Sequence, residues 1–127
     1  MIIMLKSKIH QLHVTDVNFR YEGSISIDQS LMMAANILPY EQVHVLNTNN
    51  GARFVTYAIE GIPDSGEICI NGAAARSAVK GDIIIILAYR YVEEDEAHLF
   101  RHKLLYVNEQ NAIKEDLSAS LTNLYHG

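Results

Sequence analysis

The sequence contains one cysteine, two prolines and no purely apolar run longer than the seven residues Ile83 to Tyr89. A membrane-spanning helix needs about 20 apolar residues, and the N-terminus carries no long apolar segment of the secretory kind. The chain therefore reads as an untargeted protein of the cytoplasm with no membrane partner. Cys69 has no second cysteine to pair with, in keeping with a reducing compartment. Flanked by Ile68 and Ile70, it reads as a buried, inert thiol. Basic residues are also few, ten against fifteen acidic ones for a formal charge of −5, and they are scattered, so nucleic acid is excluded as a partner. With seven glycines in 127 residues and 49% hydrophobic content, the composition is neither disordered nor fibrous. The length suits one packed domain over residues 1–127.

Apolar alternation and turn residues give the order of elements. Residues 3–15 read as a first strand with Lys8 and His10 on one face. A polar segment, Thr15 to Glu22, precedes a short strand Ser24-Ile25-Ser26-Ile27 that stops at Asp28. Asp28 is suited to cap a helix from Gln29 to Ile37, which Pro39 stops. Gln42 to Leu46 and Arg53 to Ile59 form a hairpin about Asn50-Gly51. A strand Glu67 to Ile70 leads to Asn71-Gly72-Ala73-Ala74-Ala75, where Asn71 can cap a single helical turn. After Gly81-Asp82, Ile83 to Val92 reads as a central strand buried on both faces, Glu93 to Glu96 as a solvated loop or helix start, and Lys103 to Val107 as the last strand. If the tail is helical, Ile113, Leu117, Leu121 and Leu124 line one apolar stripe that docks on the body or on a neighbouring subunit. So many short strands in a small chain favour a closed barrel with short helices.

The residues that can carry chemistry are few. His10 and His13 point to opposite faces of a strand, and His98 and His102 lack a third ligand, so no metal site is expected. The Asn71 to Ala75 turn either packs as a simple capped turn or offers unobstructed N–H groups to a carboxylate. Arg53 and Tyr57 share a strand face, while Thr56 points away unless a twist or bulge intervenes. Gly23-Ser24 admits self-cleavage as well as an ordinary turn. In that chemistry the Ser24 hydroxyl attacks the Gly23 carbonyl and moves the acyl group from nitrogen to oxygen. Elimination of the ester then leaves a dehydroalanine, which water converts to a pyruvoyl group and ammonia. Glycine leaves the carbonyl open to attack and tolerates a strained geometry.

Tyr21-Glu22-Gly23-Ser24, Asn71-Gly72-Ala73-Ala74-Ala75 and Gly81-Asp82 together resemble the aspartate 1-decarboxylase family, whose members work through a pyruvoyl group made from their own chain. Met4-Leu5-Lys6-Ser7-Lys8-Ile9-His10 and Asn50-Gly51-Ala52-Arg53-Phe54-Val55-Thr56-Tyr57-Ala58-Ile59 match in the same order, so the likeness spans about residues 1–92. It implies a six-stranded double-psi β-barrel, a homotetramer, and a zymogen that cleaves itself between Gly23 and Ser24 into residues 1–23 and a pyruvoyl-headed chain of residues 24–127.

The resemblance further implies that L-aspartate forms a Schiff base with the Ser24-derived pyruvoyl group and loses carbon dioxide to give β-alanine for pantothenate biosynthesis. Neither pyridoxal phosphate nor metal takes part. Carried over residue by residue, Tyr57 is the proton donor, its phenol O–H being a group that can give a proton. Gly23, Ser24, Thr56 and Asn71 serve processing. Lys8, Arg53, Thr56, Gly72, Ala73 and Ala74 contact substrate, with the Arg53 fork and the Lys8 charge overriding the negative net charge. Arg76 stands where many members carry His, and the tail after Val107 follows no family pattern, which leaves dependence on a maturation accessory protein open. Two other classes remain beside the enzyme: an uncleaved regulatory barrel and a generic ligand-binding barrel.

Overall fold

Residues 1–117 are described by the computed structural model. Alternation sets the strands: Ile25 and Ile27, Val43 and Val45, Ile68 and Ile70, and Ile84 and Ile86 are all fully buried, each pair two residues apart. Burying each such side chain contributes about 1.5–3 kcal/mol, enough for these pairs to fix the register, because a one-residue slip would turn them all to solvent. The elements are β1 (Ile2–His13), β2 (Asp16–Asn18), β3 (Ser24–Asp28), α1 (Gln29–Ala35), β4 (Gln42–Asn47), β5 (Arg53–Gly61), β6 (Ile68–Asn71), a 3₁₀ helix (Gly72–Ser77), β7 (Ile83–Val92), α2 (Glu94–Ala97), β8 (Lys103–Val107) and β9 (Ile113–Asp116). The protein is mainly β.

The strands form one sheet in the order β2-β6-β3-β5-β4-β7-β1-β8-β9. Among the described residues nine strands thus stand where local patterning gives seven, because β2 falls in the polar stretch after β1 and β9 follows the strand expected to be last. Between β1 and β2 the chain does not break away. Val14 donates its N–H to the Asp82 carbonyl and accepts from Gly81, and Thr15 donates to the Ile68 carbonyl. One continuous run therefore leaves β7 and joins β6.

Other boundaries moved for local reasons. Asp28 caps α1 as expected, its Oδ1 accepting from the Ser30 N–H at 2.8 Å. The helix stops at Ala35 rather than Ile37 because Asn36 adopts a left-handed conformation, and Ile37 then bonds back to Met32. β7 is buried in its first part, but Tyr89 to Tyr91 are exposed, contrary to a strand covered on both faces throughout. Ile113 lies in β9, so the expected helical stripe fails at its first residue; Leu121 and Leu124 lie outside the described residues. Among the described residues, no helix is long and apolar enough to cross a membrane.

Candidate active site

Antiparallel pairing of β3 with β6 sets Ser24 opposite Asn71 and Ser26 opposite Cys69. Because side chains alternate along a strand, these four polar groups share one face while Ile25 and Ile70 enter the core between them. Ser24, Ser26 and Asn71 are buried, and Cys69 is half-buried. The Asn71 amide donates both hydrogens, to Ser24 Oγ at 3.0 Å and Ser26 Oγ at 3.1 Å, while its Oδ1 accepts from the Cys69 thiol at 3.2 Å. Ser24 Oγ in turn donates to the Glu22 carbonyl at 3.1 Å. The hydroxyl at the Gly23-Ser24 bond is thereby held from two sides.

This arrangement corrects the expectation that Asn71 caps the following helical turn. No side-chain cap bond forms, and Gly72–Ser77 is a 3₁₀ helix whose preceding Asn71 amide is spent on the serines. Gly72 follows with φ +77°, and a Cβ there would stand 2.7 Å from both Cα and N of Gly23. Only glycine lets this backbone approach the Gly23-Ser24 bond so closely. Gly23 itself is different: a Cβ would meet nothing within 4 Å, and φ is not in the left-handed region, so no strained geometry explains the glycine.

Of the other expected residues, Tyr57 comes nearest by register. β3 runs parallel to β5 with Ile25 opposite Ala58, so Tyr57 and Ser24 each precede a paired residue. The Tyr57 ring leans toward that of Tyr40, with centroids 6.2 Å apart. Pairing of β5 with β4 runs unbroken from Arg53 to Tyr57, so no bulge turns Thr56 to their face. Thr56 is set opposite Val43, half-buried. Arg53 is exposed, about 13 Å along the strand from Tyr57, and donates to the Tyr89 hydroxyl at 3.2 Å beside His44. Lys8 lies on β1 between Leu87 and Leu104. Among the described residues no contact joins Arg53 or Lys8 to the Ser24 group. Lys8 and His10 do share a face: burial first, then the Lys8 charge, holds His10 below its ordinary pKa.

Ala73 is exposed and Ala74 half-buried, and Arg76 lies over the Phe19 ring at 5.8 Å, tying the 3₁₀ helix to the segment before Gly23. Cys69 and Ser26 were missed as partners of this site. Their signal was the period of two, since Ser24-Ile25-Ser26 and Cys69-Ile70-Asn71 each place polar groups on one side of a buried isoleucine.

The fold and site thus define a small, mainly-β protein with a buried polar cluster at a Gly-Ser bond, its serine hydroxyl held by an asparagine and a bare glycine set against the same bond. The family model described as Aspartate decarboxylase matches residues 1–114. Aspartate 1-decarboxylase of Dehalococcoides mccartyi (strain CBDB1) is 57% identical over 87% of this chain and 89% of its own. That of Thermoanaerobacter pseudethanolicus is 58% identical over 85% and 92% respectively. A solved structure, the rationally designed mkDPBB_sym_86 protein, aligns with a TM-score of 0.45 at 13% identity over 69% of this chain and 96% of that one. The chain belongs to the aspartate decarboxylase family.

Proposed function

We propose that this protein removes the α-carboxyl group of L-aspartate as carbon dioxide, yielding β-alanine for pantothenate biosynthesis in the cytoplasm, after severing its own chain between Gly23 and Ser24. The observation that carries the reading is the buried Ser24 hydroxyl, bonded at 3.0 Å to Asn71 and flanked by the bare backbone of Gly72. A hydroxyl so fixed is preorganised, and a glycine at 72 leaves the neighbouring peptide bond uncrowded.

The residues present fit a pyruvoyl group at position 24. Such a group would take the place of Ser24 at the head of β3, with Asn71 and Gly72 beside it, and supply a ketone that captures an amine and accepts the electrons released on decarboxylation. Tyr57, which precedes Ala58 as Ser24 precedes the paired Ile25, serves as the proton donor in this reading. Arg53, exposed and presenting a planar fork, is suited to a carboxylate, with Lys8 adding charge. Thr56 serves processing and substrate contact in this reading, and Gly72, Ala73 and Ala74 offer backbone to the substrate.

The continuous run from β1 through Val14 and Thr15 into β2 supports a six-stranded double-psi barrel. With β1 and β2 taken as one strand, that strand together with β6, β3, β5, β4 and β7 would make up the six, with β8 and β9 outside the ring. Ile3 and Tyr91, paired across β1 and β7, and Val55 on β5 are exposed apolar groups suited to contacts in a homotetramer.

A denaturing mass spectrum of purified protein, read with carbon dioxide release from L-aspartate, tests the function. The wild type should give two fragments divided after Gly23, the longer without a free amino terminus, and Ser24→Ala a single folded, inactive chain. Aspartate decarboxylation by an undivided chain free of any ketone would overturn the proposal.

A further inference from the structure

Asparagine has nearly the same shape when its amide is turned over, so the surroundings alone decide whether Nδ2 or Oδ1 faces Ser24. The serines decide weakly. Each hydroxyl can donate or accept, and Ser26 serves either orientation. The remaining partner is Cys69, whose thiol donates to Oδ1 at 3.2 Å; a turned amide would leave Nδ2 with only the sulfur, a weak acceptor, on that side. The register makes this possible, because Cys69 lies opposite Ser26 and two residues before Asn71 on the same strand face.

We propose that Cys69 is a positioning residue for self-cleavage: its S–H fixes the Asn71 amide so that Nδ2 faces Ser24 Oγ. The inference rests on the self-cleavage reading above and assigns the thiol a part in it. With the amide so held, Ser24 Oγ accepts from Asn71 and keeps its own proton directed at the Glu22 carbonyl. A turned amide would instead draw that proton to Oδ1 and break the bond to Glu22. The role requires a protonated thiol, and the site favours one. Burial, then the carboxylates of Asp16 and Glu67, push the Cys69 thiol above its ordinary pKa. The thiol is thus kept as a donor and withheld from nucleophilic work.

The test is a time course of fragment formation in freshly synthesised full-length chain, followed by denaturing mass spectrometry. Cys69→Ala removes the donor and should slow cleavage about fivefold, the scale of one neutral hydrogen bond. Cys69→Ser restores a donor and should recover to within about twofold of wild type. Cys69→Val, apolar and similar in volume, should resemble the alanine variant and replaces it if alanine folds poorly. Cleavage of Cys69→Ala and Cys69→Val at the wild-type rate would overturn the role of the thiol and leave self-cleavage intact. A serine variant as slow as valine would likewise overturn it, since packing and not donation would then be at stake. A wild-type chain that never divides would remove both readings together.

Discussion

Gly72 and Gly23 meet backbone to backbone: a methyl group on Gly72 would stand 2.7 Å from Gly23 Cα and N, whereas one on Gly23 would meet nothing within 4 Å. The two glycines should therefore respond oppositely to alanine. Gly72→Ala could hold φ +77° only at about 1–3 kcal/mol, and it must also push the Gly23 segment aside. Loss of cleavage and a lower melting temperature are expected. Gly23→Ala should fold at least as well as wild type, because alanine at an unstrained position stabilises by about 0.4–1 kcal/mol through the unfolded chain. Thermal melts of both variants, with mass spectra, check this; equal stability of the two would disprove the close approach.

Asn71→Ala tests the polar group from its centre. The substitution strips partners from two buried serine hydroxyls and a thiol at once. Leaving a buried polar group unsatisfied costs about 1–3 kcal/mol, and Ser24 loses the amide that fixes it. The variant should melt lower and remain largely one chain by mass. Full cleavage at the wild-type rate would show that Asn71 is only a strand residue.

Much of this was legible in the sequence because it is local. Asp28 caps α1, and Asn50-Gly51 turns the β4–β5 hairpin, since each depends on residues a few positions away. Asn71 misled for a physical reason: its short amide suits a cap, and only pairing across β3 offers it two buried hydroxyls instead. Cys69, inert by its apolar neighbours, donates only two residues along its own strand, a bond hidden as long as Asn71 is assigned to a cap instead of to this face. β2 was hidden because its residues, Asp16, Val17 and Asn18, lack strand character and are held by parallel pairing to β6. Conformation fixed by a partner 45 or more residues away leaves little trace in the local pattern.

Arg53 offers a separation of binding from folding. Its guanidinium is exposed and its one hydroxyl partner, Tyr89, lies at 3.2 Å, so Arg53→Lys should change stability by no more than about 0.5 kcal/mol. A charged hydrogen bond lost to substrate should raise KM for aspartate about tenfold. Steady-state kinetics on the cleaved enzyme measure this, and an unchanged KM would remove Arg53 from substrate recognition.

His10 makes stability depend on pH in a defined direction. It stacks on Tyr106 with ring centroids 4.6 Å apart, and burial followed by the Lys8 charge lowers its pKa in the folded protein. The unfolded chain holds the ordinary value of about 6.5, so between the two values the unfolded state binds more protons and folding stability rises with pH. The contribution is complete at pH well above 6.5 and is lost as pH falls through that value toward the lowered one. His10→Gln removes the titrating group while keeping a polar side chain. Denaturant midpoints measured from pH 7.5 down to 5 should decline less steeply in the variant than in wild type. A variant curve parallel to wild type over the whole window would place the acid sensitivity on other groups and leave His10 without a part in it.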